Sequence, residues 1–187
     1  MSASYSKPGW VVIFSLIAIV ARAENPTDLT IKSPTHQTTF TLSEQRGKWI
    51  ALHFLLKTEC PYCIKYTRDY VRLSEKTPEV VHLFLKPDSD DEIRGWAGKL
   101  SQDDLKELPV IYRDPDARLA NQFGIPDGYR FHGQTVHYPA LVLLDPSGKE
   151  VFRYVGKSNS DRMTPDDFVS KLKAARGAKS KEKPSRP

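Results

Sequence analysis

The two cysteines of the chain stand together in Cys60-Pro61-Tyr62-Cys63, between an apolar run and a stretch with helical spacing. A strand that delivers a CxxC to the first turn of a helix leaves the first sulfur exposed and acidic. A second sulfur one turn on can then displace whatever the first has captured. This is the arrangement of thiol–disulfide chemistry. As a structural staple it would be poor, because closing so short a loop removes only about 2 kcal/mol of unfolded-state entropy. A CxxC is also half of a zinc site. His36, His53, His82, His132 and His137 would have to supply the rest, and none of them forms an HxxxH pair, so no metal is expected.

The elements that must position this motif follow from hydrophobic patterning. Thr38 to Leu42 is a short β-prone run. Trp49 to Leu56 is nearly continuous in apolar residues, which suits a central strand buried on both faces. From Pro61, the residues Ile64, Tyr66, Tyr70, Val71 and Leu73 recur at helical spacing. Pro61 fits a first helical turn, where its missing N–H costs nothing. Strands are expected at 80–86 and 108–112, with an acid-capped helix at 92–100 between them. Asp114-Pro115 opens a helix that Gly124 stops. Residues 126–137, with their glycine and proline breakers, read as a loop. Pro139 to Leu144 and Glu150 to Val155 form a hairpin around Asp145-Pro146-Ser147-Gly148. Thr164-Pro165-Asp166-Asp167 caps a last helix over 168–176. The order β-β-α-β-α-β-α-β-β-α predicts an α/β domain with a mixed sheet flanked by helices on both faces.

Lys7, the apolar run Trp10 to Val20 and the small-x-small Ala21-Arg22-Ala23 read as a signal peptide over residues 1–23. The run is shorter than the ~20 apolar residues that span a bilayer. Cleavage before Glu24 would remove Lys7 and Arg22 and lower the net charge from +5 to about +3. The domain is expected over 24–176, followed by a basic, disordered tail over 177–187 that carries much of the remaining charge. No aromatic-interleaved basic face supports nucleic-acid binding. The expected location is therefore outside the cytoplasm, periplasmic or extracellular, as a monomer with no stable membrane span after cleavage.

Over residues 38–175 the chain resembles the thioredoxin superfamily, in particular the exported redoxins that include TlpA-type and peroxiredoxin-type (AhpC-TSA-like) proteins. The residues that carry the resemblance are GKWIALHF before the motif, Cys60-Pro61-Tyr62-Cys63, Leu119-Ala120-Asn121-Gln122-Phe123-Gly124-Ile125, and the run from Tyr138 to Lys149. The resemblance implies a thioredoxin-like three-layer fold, Cys60 as nucleophile and Cys63 as resolving thiol. It also matches Pro139 to the family's cis-proline, which would turn the backbone of Tyr138 toward an extended substrate. Protein thiols or disulfides and an upstream redox partner are the implied partners, and no cofactor is implied.

Departures from the family pattern define what the structure must decide. Glu59 stands where thioredoxins carry Trp, and its carboxylate opposes thiolate formation, while Lys57, Lys65 and Arg68 favour it. His53 reads first as a hydrogen-bonded core or edge histidine and second as a proton shuttle. For a peroxiredoxin, the Thr expected three residues before the cysteine is replaced by Lys57. Arg162 is the candidate for that family's activating arginine, although an arginine before a helix is commonly a solvated charge. A thiol peroxidase is thus the alternative function. A Sco-like copper chaperone using His132 or His137 is a more distant one, since that family spaces its cysteines by three residues.

Overall fold

Six consecutive residues, Trp49–Phe54, are all buried, and this strand (β3) is the centre of the molecule. The computed structural model describes residues 29–57, 60–100, 105, 107–131 and 134–182 of the 187. β3 runs parallel to β4 (Val80–Lys86), which is parallel to β5 (Ile111–Arg113). On its other side β3 pairs antiparallel with β8 (Ala140–Leu144), and β8 with β9 (Glu150–Val155). The sheet order is β5-β4-β3-β8-β9. The expected mixed sheet and α/β thioredoxin-like fold are what the chain adopts.

Strand alternation divides the core into two layers. Ala51, Phe84, Leu141 and Leu143 face α1 (Pro61–Ser74), α2 (Asp90–Ala97) and α4 (Pro165–Glu182), meeting Tyr70, Trp96, Phe168 and Leu172. Ile50, Leu52, Phe54, Leu83 and Val142 face the other way. They are covered by α3 (Arg118–Gln122) and by a hairpin of β1 (Thr30–Lys32) and β2 (Thr39–Thr41).

Local chemistry explains the ends of the helices. Cys60 is the N-cap of α1 and Pro61 its first residue. α2 begins two residues before the expected Glu92, because Ser89 and Glu92 form a reciprocal capping box. Gly124, at φ +62°, takes the left-handed conformation that closes the helical stretch before it.

Three expectations are revised. The 126–137 segment contains a second hairpin, β6 (Asp127–Phe131) with β7 (Gln134–His137), rather than irregular loop. Its backbone groups pair with each other across the two strands whatever the breaker content. Helix α4 continues to Glu182, past Arg176 where the domain was expected to end. The Ala, Lys and Glu residues there are good helix formers, and Gly177 subtracts only about 1 kcal/mol. Finally, the described residues contain no cis peptide bond, so Tyr138–Pro139 is trans. Pro139 stands just before β8, a strand-entry position that needs no ladder N–H. Its carbonyl accepts from Gly156 N at 2.8 Å, and Tyr138 N donates to Pro126 O at 3.0 Å. The expected signal segment 1–23 and residues Thr58, Glu59 and His132 lie outside the described residues. Among the described residues no helix is long and apolar enough to cross a membrane.

Candidate active site

The site lies where β3 ends and α1 begins. Cys60 and Cys63 are both free thiols. Cys60 is 8% exposed and Cys63 fully enclosed, so the nucleophile candidate is less open than the motif alone suggested. Pro61 and Tyr62 form the exposed rim beside them, with Tyr62 at 46%.

A third group completes the cluster. Arg162, ninety-nine residues beyond Cys63, donates from Nη2 to Cys60 Sγ at 3.1 Å and to Cys63 Sγ at 3.4 Å. The same nitrogen reaches Asn159 O at 3.1 Å. The guanidinium lies over the ring of Tyr66, 5.4 Å from its centre, a cation–π contact that holds it level with the sulfurs. Arg162 is therefore no solvated charge. The helix cation Lys65 is occupied with Asp69 instead.

These contacts drive the two thiols in opposite directions. The hydrogen bond from Cys63 is the largest influence on Cys60. Burial opposes it, and the Arg162 charge and the N–H groups of Tyr62 and Cys63 assist it. The Cys60 pKa falls to about 6. Burial, with the hydrogen bond to Cys60, pushes the Cys63 thiol well up, only partly offset by Arg162 and Lys86. At neutral pH the arrangement is a Cys60 thiolate beside a Cys63 thiol.

Lys86, at the end of β4, is wholly buried. Its Nζ donates to Leu56 O at 2.5 Å, the same carbonyl that the Cys63 thiol faces at 3.9 Å. It lies 3.4 Å from the equally buried Asp88 Oδ2 and 4.4 Å from the centre of the Trp96 ring. A buried ammonium is tolerable only with such partners. No pattern around Lys86 signals this burial, since a lysine closing a strand ordinarily projects into water.

His53 is fully buried on β3, but it touches neither sulfur. Its Nδ1 is 2.9 Å from Tyr66 Oη and its Nε2 2.9 Å from His82 Nδ1. His82 Nε2 lies 3.5 Å from Thr77 Oγ1, which donates to Leu73 O. One proton arrangement satisfies the whole chain with both imidazoles neutral: Tyr66 donates to His53, His53 to His82, and His82 to Thr77. Burial accordingly lowers both histidine pKa values, that of His53 reinforced by His82 and that of His82 to about 4. The core-histidine reading is the one this geometry matches. The histidine reaches the thiols only indirectly, by fixing the ring on which Arg162 rests.

Pro139 is buried and lines a narrow crevice with Tyr66, Tyr154, Arg162 and Met163. The Tyr138 ring lies against Gly128, where a Cβ would come within 2.8 Å of it. Tyr138 therefore packs on the β6–β7 hairpin. His137 Nδ1 bonds to Tyr138 O at 2.7 Å. Among the described residues no group of three or more His, Cys, Asp and Glu converges to hold a metal.

The model of the AhpC/TSA family matches residues 24–151, the segment that carries the CxxC, β3, β4 and β8. The chain belongs to the AhpC/TSA family. Membership indicates thiol–disulfide oxidoreductase or peroxidase chemistry, and the paired thiols are where either would occur. No curated protein matches. Among solved structures, Enterococcus faecalis AhpC is similar at 17% identity with a TM-score of 0.70, over 88% of this chain and 99% of that one. A secreted Mycobacterium tuberculosis disulfide oxidoreductase homologous to E. coli DsbE is 16% identical with a TM-score of 0.56, over 78% and 95%. The exposed lipoprotein thioredoxin Etrx1 of Streptococcus pneumoniae is 21% identical with a TM-score of 0.61, over 79% and 98%. At these identities the three share the fold. Arg162 lies beyond the residues that the family model matches, so it is the tertiary structure that joins it to the thiols.

Proposed function

We propose that this AhpC/TSA-family chain is a thiol–disulfide oxidoreductase acting on protein disulfides or thiols, with Cys60 as nucleophile and Cys63 as resolving thiol. The carrying observation is the convergence of two free thiols, one at the N-cap of α1 and one enclosed a turn further in, under the single guanidinium of Arg162. Cys60 thiolate attacks one sulfur of a substrate disulfide, and the other leaves as a thiolate. The Cys63 thiol then loses its proton, attacks Cys60 Sγ and releases the second substrate thiol. Two electrons and the Cys63 proton pass to the substrate, the thiolate that left first takes its proton from water, and Cys60–Cys63 becomes the disulfide; the reverse sequence oxidises a dithiol. No cofactor is required, because the dithiol stores the electrons. Tyr62, on the exposed rim, and half-buried Tyr138, shortly before β8 and next to buried Pro139, supply the surface against which a substrate segment would lie. Residues 1–23 support an exported protein, periplasmic or extracellular. N-terminal sequencing of the exported chain is expected to begin at Glu24, and a start at Met1 would refute cleavage.

The test of the roles is trapping. Cys63→Ser should accumulate mixed disulfides with protein substrates and Cys60→Ser should not, while equal trapping by both would overturn the assignment. One observation favours a second reading. Two hydrogen bonds from Arg162 to the sulfurs suit a peroxide, whose leaving oxygen gains negative charge as Cys60 attacks. That reaction would leave Cys60 as a sulfenic acid, which Cys63 condenses to the disulfide with loss of water. Rapid mixing with hydrogen peroxide distinguishes the two: a slow, second-order loss of thiolate no faster than that of a free thiol would dismiss the peroxidase.

A further inference from the structure

A groove of about 740 Å³ opens at the far edge of the sheet, between the β1–β2 hairpin, β5 and the start of α2. None of Cys60, Cys63 and Arg162 lines it. Its wall carries four cations, Lys32, Arg94, Arg113 and Arg118, against one carboxylate, Asp90. Lys32 and Arg118 form no ion pair among the described residues, and Arg94 is engaged with Asp91. Arg113 is held from both sides: Nε donates to Asp88 O at 3.1 Å, while Nη1 lies 3.4 Å from Asp90. Asp88 is itself the buried partner of Lys86, so Arg113 is anchored to the core rather than free on the surface. The opposite wall is fixed as well. Thr35 Oγ1 accepts from Ile111 N at 3.2 Å, and Ser33 N donates to Thr38 O at 2.8 Å, which ties the hairpin to the sheet edge.

We propose that this groove binds a compact phosphorylated small molecule. Its volume lies within the range of small-ligand pockets, roughly 300–1,000 Å³. The planar fork of Arg118, with the nitrogens of Arg94 and Arg113 that Asp88, Asp90 and Asp91 leave over, meets phosphate oxygens, and the Thr30 hydroxyl adds a neutral donor. An excess of cations at a concave, pre-fixed site raises the local concentration of such an anion. Nothing in the thiol chemistry requires these residues, and the site stands or falls independently of it.

Calorimetric titration of the full chain with inorganic pyrophosphate tests the site. Saturable one-to-one binding is expected. The paired change Arg113→Gln and Arg118→Gln should weaken it at least about tenfold, some 1.4 kcal/mol. Should that variant fail to fold, Lys32→Gln removes an exposed cation without an ion pair and should weaken binding about threefold. Lys149→Gln, at the β8–β9 turn, should leave affinity unchanged. Binding that does not saturate, or that Lys149→Gln weakens equally, would reduce the groove to diffuse surface charge and overturn the proposal. Tighter binding of citrate than of pyrophosphate would overturn the phosphate assignment.

Discussion

The start of α1 and the loop from Gly156 to Thr164 contribute equally to one site, yet they are built in opposite ways. The α1 end is local: a strand, an N-cap cysteine, a proline at the first helical position and a second cysteine one turn on, all within a few residues. The loop that carries Arg162 has no regular structure and is held by long-range contacts. Tyr70 Oη donates to Met163 O at 3.1 Å and Thr164 O at 3.2 Å. Tyr154 donates to Asp161, which also accepts from Lys157 N at 2.8 Å. Gly156 passes so close to the loop that a Cβ there would stand 2.1 Å from Asp161 O. The nucleophile is thus placed by helix geometry, and the charge that assists the Cys63 hydrogen bond in ionising it by tertiary packing. The local part can persist when the remote part is disturbed.

Removing the remote charge itself should have the largest effect. Arg162→Gln takes away a cation 3.1 Å from Cys60 Sγ, so the Cys60 pKa should rise toward the ordinary thiol value. The rate of alkylation by iodoacetamide at pH 6 is expected to fall about tenfold, the loss of thiolate outweighing the gain in intrinsic nucleophilicity. The same change should lower the reduction potential, because it destabilises the reduced form in particular. An unchanged potential would mean that Arg162 contributes no net charge stabilisation.

Gly156→Ala should reproduce much of this effect without touching the guanidinium. Its methyl group would overlap the Asp161 carbonyl, a backbone atom that cannot swing aside. A stability loss of about 1–3 kcal/mol in urea unfolding is expected, with a raised Cys60 pKa alongside it. A normal thiol titration in this variant would show that the loop is not positioned at this glycine.

Tyr70→Phe removes only the donor to Met163 O and Thr164 O and keeps the ring in the core. Its cost should be about 0.5–1.5 kcal/mol, with a smaller change in thiol reactivity than either variant above. A loss as large as that of Gly156→Ala would move the main anchor of the loop to Tyr70.

The smallest effect concerns the histidines below the site. Both folded pKa values lie beneath the ordinary 6.5, that of His82 near 4 and that of His53 pushed well down by burial. The unfolded chain therefore binds more protons than the folded one below pH 6.5, and stability falls as pH drops through that window. The slope is at most about 1.4 kcal/mol per pH unit for each histidine. Replacing His82 with Gln should flatten urea midpoints measured between pH 6.5 and 4; an unaltered slope would place the acid sensitivity elsewhere.

The same division explains what could be read in advance. The Cys60-Pro61-Tyr62-Cys63 helix start, the β8–β9 hairpin and the six-residue core strand were legible because each depends on neighbours in sequence. Arg162 was visible only as a candidate through family resemblance, since nothing in Asp161-Arg162-Met163 points to a sulfur. Lys86, Gly156 and the Tyr66 shelf carried no signal, because burial of a strand-end lysine or contact between a glycine and a loop is decided by packing. The trans bond at Pro139 corrected an inference from resemblance, and β6–β7 formed despite its breakers through pairing that composition does not report.

The most direct test of the account is ultraviolet titration of the Cys60 thiolate in the reduced chain, carried out in parallel on Arg162→Gln. A midpoint near pH 6 that moves upward in the variant would establish that the remote arginine helps to ionise the local nucleophile. A midpoint already at about 8.5 in the native chain, or one that Arg162→Gln leaves unmoved, would contradict it.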